Sequence, residues 1–377
     1  MSGAAGAPED RFDPDRLDDP SFLEECDSSG ALRTVASSAA QVRVAFRAAL
    51  EAGVPRIAEY GRPRAIVVAG MGVAGVAGEA LEAVCGRGCP VPILTVRRHL
   101  LPGWVGAADL VAVTAGSARS EEALAVAADA VRRGCVLLGV GPEDSPLREA
   151  VARAGGPYVA VAQGHRPTLW ELAVPLIVAA GALRIAEMGE AVAEAVAARL
   201  EDIAFRCRPS SESFLNPGKS FAMELADRLP LLWGCSPLAR VAARSLACRL
   251  HRCAGYPALV GEIPEAGHEQ IGLFNGPFGA QPIDADPFGE EGGLPRPRLF
   301  LFRDTEEHPL VAERREAVAR LAEDRGVPVS EVSAEGAHPL ERLASLIGLS
   351  DYAGVYLALG YGRDPSRIAA LAELGAH

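Results

Sequence analysis

Lysine is almost missing from this 377-residue chain, in which Lys219 is the only example. Lys219 is therefore the only candidate for a Schiff-base lysine and also for the lysine of a phosphate-binding P-loop. Gly218-Lys219-Ser220 lacks the preceding apolar strand and the upstream glycine of a P-loop. The segment is predicted to be a loop that leads into a helix.

Aromatic residues and metal-binding cysteine pairs are also scarce. Aromatics make up 5% of the chain against 49% hydrophobic residues, so alanine, valine and leucine must form the core, which suits α/β layers. The eight cysteines include no Cys-x-x-Cys pair, and no metal site is predicted.

Clustered positive charge and long apolar runs are missing as well. The formal net charge is −12 and basic residues cluster only in pairs, which argues against nucleic acid or an anionic membrane as partner. No apolar stretch reaches the roughly 18 residues that suggest a membrane span. We therefore expect a reduced, cytoplasmic protein with no membrane partner.

Strand-like runs alternate with helical patterns, an order typical of parallel sheets covered by helices on both faces. Predicted strands are 65–69, 91–96, 110–113, 135–140, 158–162, 229–233, 259–260, 298–302 and 327–332. Predicted helices are 34–59, 74–85, 121–133, 146–154, 169–188, 239–251 and 310–325, with another ending at 226 and a helical tail. The fold prediction is α/β, with a flexible lead-in over 1–33, one domain over 34–195 and a second over 196–377. A Gly/Pro-rich insertion at 275–297 interrupts the second domain.

The most informative motif is Gly70-Met-Gly72-Val-Ala-Gly75, which follows an apolar strand and opens an alanine-rich helix. Glycines permit a sharp turn, and the first amides of a helix attract anions. The Gly-x-Gly-x-x-Gly spacing also fits a dinucleotide site. Arg97 and Arg98 then stand where an acidic residue would bind the ribose, which leaves only an NADP-linked oxidoreductase in that class.

A second polar turn, Thr114-Ala-Gly-Ser117-Ala-Arg-Ser120-Glu-Glu, follows the third strand. One hydroxyl is enough to cap a helix, whereas three are present. The pattern favours phosphate binding by Thr114, Ser117 and Ser120.

These segments carry a resemblance to the sugar isomerase (SIS) domain family, and within it to the bifunctional phosphoglucose/phosphomannose isomerases. GMGVAGVAGE resembles the family's first glycine loop, TAGSARSEEAL its phosphate loop, and GEIPEAGHEQIG its Leu-Pro-Glu-x-x-His-Asn-Glu segment. The resemblance runs from about residue 35 to the end of the chain. It implies two tandem SIS domains, each a doubly wound parallel β-sheet flanked by helices, in a homodimer that binds a phosphorylated hexose without a cofactor.

The resemblance also implies the site residues. The substrate-binding positions are Gly72, Val73, Ala74, Gly75, Thr114, Ser117 and Ser120. In the family, the histidine equivalent to His268 opens the sugar ring across the dimer interface.

The sequence departs from the family pattern at the positions of the family's catalytic residues. The family's base, a glutamate sixteen residues before the motif histidine, aligns with Arg252, which cannot accept a proton. The family's arginine after Gln-Pro aligns with Thr168, and Arg166 could substitute for it. Glu262, Glu265 and Glu269 surround His268 and one of them could replace the base; Glu265 is taken as the candidate catalytic residue. The leading hypothesis is a hexose-phosphate-binding relative of these isomerases, with weak or lost activity; the alternatives are a non-catalytic sugar-phosphate sensor and the NADP-linked oxidoreductase.

Overall fold

The computed structural model describes residues 11–161, 166–276 and 296–366. These residues form two compact units. We call residues 37–201 with 336–344 the N-unit, and residues 11–36, 202–335 and 345–366, as far as they are described, the C-unit. The predicted insertion at 275–297 lies outside the described residues except at its ends.

The N-unit contains a five-stranded parallel sheet in the order β2-β1-β3-β4-β5. Its strands are β1 (Ile66–Ala69), β2 (Ile93–Val96), β3 (Leu110–Thr114), β4 (Val136–Pro142) and β5 (Tyr158–Val161). All residues of β1 and β3 are buried, as expected for central strands covered on both faces.

The C-unit contains a four-stranded parallel sheet in the order β7-β6-β8-β9. Its strands are β6 (Arg228–Gly234), β7 (Leu259–Glu262), β8 (Arg296–Arg303) and β9 (Val329–Ser333). Two parallel sheets with flanking helices confirm the predicted α/β fold class.

The α-helices of the described chain are α1 (Pro20–Cys26), α2 (Ala31–Ala36), α3 (Ser38–Glu51), α4 (Val73–Cys85), α5 (Glu121–Arg132), α6 (Pro146–Arg153), α7 (Leu169–Ala182), α8 (Glu190–Arg206), α9 (Pro217–Leu225), α10 (Pro237–Arg249), α11 (Ala266–Glu269), α12 (Pro309–Asp324) and α13 (Pro339–Gly360). Short 3₁₀ turns occupy Pro14–Asp18, Val54–Tyr60 and Ile271–Phe274, and a π-helical turn occupies Leu250–Ala254. Helix α13 has the length and hydropathy of a membrane span, but 94% of its most apolar segment is buried within the protein.

Residues 11–36 differ from the flexible lead-in expected from the sequence. They hold a 3₁₀ turn and helices α1 and α2, and they bury Leu17, Leu23 and Val35. Asp18 accepts a hydrogen bond from the Lys219 Nζ at 3.0 Å. Four aspartates surround the buried Leu17, so the composition of the segment suggests a polar, flexible chain and does not reveal this packing.

The predicted helix over 34–59 is broken in the structure. Helix α3 ends at Glu51 because Gly53 adopts a left-handed conformation, with φ of 77°, and Pro55 follows within a 3₁₀ turn. Gly218-Lys219-Ser220 lies in the first turn of α9, whose N-cap is Asn216. This segment is therefore a helix start rather than a loop before one.

Candidate functional site

The strand order of the N-unit creates a switch point between β1 and β3. In an open parallel sheet of order 2-1-3-4-5, the chain leaves these neighbouring strands in opposite directions, and ligands bind in the crevice beyond their carboxyl ends. The loop after β1 contains Gly70–Gly72, and the loop after β3 contains residues 115–120. Both predicted phosphate loops therefore flank the same crevice.

The glycine motif after β1 leaves no room for a side chain at Gly70 or Gly75. A Cβ on Gly70 would stand 2.4 Å from the Thr114 Oγ1 and 2.7 Å from the Ala74 carbonyl carbon. Gly72, the N-cap of α4, has φ of 56° and ψ of −127°, a conformation that favours glycine. A Cβ on Gly75 would meet the Arg97 Nε at 2.6 Å. Gly70 and Gly75 therefore allow close packing of α4 against the strand ends, whereas Gly72 provides the turn and is exposed.

Backbone N–H groups remain available on both loops. Within the described residues, the N–H groups of Met71, Gly72 and Val73 have no acceptor, and neither do those of Gly116, Ser117 and Ala118. By contrast, the N–H groups of Ala74 and Gly75 donate to the Met71 and Gly72 carbonyls, both at 3.1 Å. Consecutive unpaired N–H groups at the start of helices are suited to anions.

Thr114 has a different role from the predicted substrate contact. Its side chain is 1% exposed. Its Oγ1 donates to the Ala69 carbonyl at 3.2 Å and to the Ala74 carbonyl at 3.1 Å. The hydroxyl proton is therefore shared between two carbonyls of the glycine turn. Thr114 ties the end of β3 to that turn and presents no hydroxyl to a ligand.

Ser117 and Ser120 are both half-buried on the loop before α5. The Ser120 Oγ is the N-cap acceptor for the Ala123 N–H at 3.4 Å and donates to Glu122 at 3.3 Å. The Ser117 Oγ accepts from the Arg119 N–H at 3.2 Å, which leaves its hydroxyl proton available. Ser117 is thus the better hydroxyl donor of the pair.

Ser145, which sequence reasoning overlooked, supports this loop. Its Oγ donates to the Ala118 carbonyl at 3.3 Å and caps α6 by accepting from the Leu147 N–H at 3.2 Å. The available signal was a serine that precedes Pro146 at a helix start.

The contacts of Arg97 argue against the alternative of an NADP-binding site. It is half-buried against Gly75 and forms a 2.7 Å ion pair with the buried Glu79. Its charge is already balanced inside the N-unit, so it is a poor partner for a ribose 2′-phosphate.

Arg166 is exposed at the entry to α7, two residues before the N-cap Thr168. Thr168 and Glu171 form a capping box, in which the Thr168 N–H and hydroxyl both donate to Glu171, at 2.8 and 3.0 Å. Thr168 therefore has a structural role.

The remaining predicted residues belong to the C-unit. His268 lies in the short helix α11 and Glu265 is its N-cap; both side chains are exposed and make no hydrogen bond within the described residues. Glu269 is also exposed, whereas Glu262 forms a 3.1 Å ion pair with Arg240. Of the carboxylates close to His268 in the sequence, Glu265 and Glu269 therefore have no cationic partner among the residues that the structure describes.

The equivalent switch point of the C-unit is closed by its own side chains. The Ser236 Oγ caps α10 and donates to Asp304 at 3.1 Å, and both residues are buried. This pairing joins the turn after β6 to the end of β8. The two sheets thus share a topology but differ at the position where a ligand would bind.

Comparison with known proteins gives consistent matches. Residues 214–376 match the bacterial phospho-glucose isomerase C-terminal SIS domain. A bifunctional phosphoglucose/phosphomannose isomerase of Caldicellulosiruptor bescii is 25% identical over 310 residues, which cover 80% of this chain and 86% of that protein. The enzyme of the same name from Aquifex aeolicus is 25% identical over 304 residues with the same coverage.

Solved structures share the fold. The tagatose-6-phosphate ketose/aldose isomerase of Escherichia coli has a TM-score of 0.67 at 12% identity, over 91% of this chain and 97% of that one. A glucose-6-phosphate isomerase like protein of Thermus thermophilus has a TM-score of 0.57 at 19% identity, over 95% and 98%. The glycine turn, the serine loop, the parallel sheets and these matches agree: residues 214–376 match an SIS domain, and the chain as a whole resembles the bifunctional phosphoglucose/phosphomannose isomerases of the SIS domain family.

Proposed function

We propose that this chain binds a phosphorylated hexose at the carboxyl edge of the N-unit sheet. The observation that carries the proposal is the convergence of the two loops on the β1/β3 switch point, each with three consecutive unpaired N–H groups. The Ser117 hydroxyl adds a neutral donor. These groups match the oxygens of a phosphate ester, as the names of the relatives suggest for those proteins.

We further propose that isomerisation by this chain is weak or lost. Moving a proton between C1 and C2 of a sugar requires a carboxylate base, and general base catalysis contributes roughly 10²–10⁴-fold. Arg252 stands where the family has its glutamate, and Thr168, at the position of the family's arginine, is engaged in a helix cap. Glu265 or Glu269 would have to serve as base, with His268 opening the ring.

Thermal unfolding with ligand tests the binding proposal. Glucose 6-phosphate, mannose 6-phosphate or fructose 6-phosphate should raise the Tm, and the free hexoses should not, because binding to the native state stabilises it by mass action. The Ser117→Ala/Ser120→Ala variant should lose most of that shift while losing only about 1 kcal/mol of stability through the cap.

Ser236→Ala is the matched control, since Ser236 caps a helix of the C-unit and lies outside the proposed site. It should keep the ligand-dependent shift. Equal shifts with free and phosphorylated hexoses would contradict the phosphate site.

A coupled assay of aldose–ketose conversion separates a weak enzyme from a non-catalytic sensor. If the chain binds the sugar phosphate and its kcat is in the ordinary range for enzymes, the proposed loss of activity is wrong. Binding without measurable turnover would favour the sensor. A homodimer and a cytoplasmic location remain predictions, which gel filtration with light scattering and cell fractionation would test.

A further inference from the structure

A pair of thiols lies at the end of α4 opposite the glycine turn. Cys85 is the last residue of the helix and Cys89 follows four residues later; both are half-buried, and neither is in a disulfide. The Cys89 thiol lies close enough to Cys85 to contribute, after burial, to the raised pKa of that thiol. The Cys89 Sγ also donates to the Val91 carbonyl at 3.1 Å, which fixes the thiol beside the chain that enters β2.

The three residues between the thiols form a tight, adaptable turn. The Cys89 N–H donates to the Gly86 carbonyl at 3.2 Å, which folds the segment back on the helix. Gly86 has φ of 65°, and a Cβ on Gly88 would meet no heavy atom within 4 Å. Since a disulfide needs two Cβ atoms roughly 3.5–4.5 Å apart, glycines on both sides of Arg87 give the backbone the freedom to reach it.

We propose that Cys85 and Cys89 are a reversible oxidation site that exchanges with a low-molecular-weight disulfide such as oxidised glutathione. Oxidation closes a five-residue ring and joins the end of α4 to the segment that enters β2.

The exchange has two steps with a defined order. The Cys89 thiolate attacks one sulfur of the glutathione disulfide, which breaks that S–S bond, forms a mixed disulfide and releases one glutathione. The Cys85 thiolate then attacks the Cys89 sulfur and releases the second glutathione. The two protein thiols lose two electrons and two protons in total, and the disulfide is reduced to two thiols.

The environment supports this assignment of roles. Burial raises the pKa of Cys85 to about 12, so its thiolate is rare at neutral pH. Cys85 is therefore the second, resolving thiol, which acts when Cys89 already holds the leaving sulfur next to it. The ring-closing step should consequently speed up about tenfold for each pH unit between 7 and 9.

Peptide mapping tests the proposal directly. The full chain is incubated with oxidised glutathione, blocked with N-ethylmaleimide, denatured and digested with trypsin. Cleavage at Arg64, Arg87 and Arg97 places the thiols in two peptides, 65–87 and 88–97. The expected product is these two peptides joined by a disulfide, which reduction separates.

Cys85→Ser and Cys89→Ser should each abolish the joined product, and Cys85→Ser should accumulate at least tenfold more glutathione on Cys89. Cys26→Ser, which removes another half-buried thiol, should leave the joined product unchanged. A stable glutathione adduct on Cys89 in the unmutated chain, or two blocked free thiols, would overturn the proposal. Should a serine variant fail to fold, the unmutated chain and Cys26→Ser still decide the outcome.

Discussion

Replacing Thr114 by valine tests the tie between the two loops of the proposed site. Valine has the shape of threonine without the hydroxyl, so the Ala69 and Ala74 carbonyls lose their shared donor at 3.2 and 3.1 Å. Because the side chain is 1% exposed, water cannot easily replace it. A buried polar group left unsatisfied costs about 1–3 kcal/mol, and we expect the N-unit to lose that much.

The measurement must report on the N-unit alone, because a chain with two units need not unfold in one step. The three tryptophans are Trp104 and Trp170 in the N-unit and Trp233 in the C-unit. In a Trp233→Phe background, tryptophan fluorescence during urea unfolding therefore follows the N-unit.

Thr114→Ser is the matched variant, since it keeps the hydroxyl and removes one methyl group, at a cost of about 1 kcal/mol. We expect the serine variant to retain the Tm shift with hexose 6-phosphate and the valine variant to lose it, because the turn is no longer anchored. If the valine variant matches the starting protein in both stability and ligand response, the tie proposed for Thr114 is wrong.

Three further predictions use other parts of the chain. Arg252→Glu should raise isomerase activity at least roughly 10²-fold by restoring a carboxylate, and an equal gain in Arg252→Gln would exclude a base. The hydrogen bond from Arg64 holds the pKa of Asp109 below its ordinary value, so this contribution to stability is complete above the ordinary value of about 3.9 and is lost as the pH falls through the lowered pKa. Urea unfolding of Asp109→Asn should accordingly show a smaller decline of stability between about pH 4 and 2, and an unchanged slope would contradict the assignment. Lys219→Met should destabilise the C-unit by about 1–3 kcal/mol, because the Asp18 carboxylate and two carbonyls lose their donor. Urea unfolding followed by Trp233 fluorescence in a Trp104→Phe/Trp170→Phe background measures this loss, and a change below about 0.5 kcal/mol would refute it.

Hydrophobic patterning predicted the sheets well. Strands β1, β3 and β6 differ from the predicted ranges by one or two residues, because central parallel strands are continuous apolar runs. Helix α8 was missed although its buried positions, Ala193, Val196, Ala197, Leu200 and Ile203, follow helical spacing. This spacing of apolar residues is itself the sequence signal for a helix.

The site was harder to predict than the fold. Sequence reasoning grouped Thr114 with Ser117 and Ser120 as hydroxyl donors, because residue type does not reveal where a hydroxyl proton points. In the folded chain, Thr114 donates inward and Arg97 already has Glu79 as a partner. Both facts depend on contacts between elements that are distant in the sequence.

The solitary lysine gives this protein an unusual chemical property. The Lys219 side chain is 1% exposed, and its Nζ donates to the Asp18 carboxylate and to the Pro209 and Ser211 carbonyls. Reagents that acylate lysine must reach the amine, and this packing buries it while the C-unit is folded. Because Lys219 is the only lysine, the rate of lysine acylation reports how often the C-unit opens.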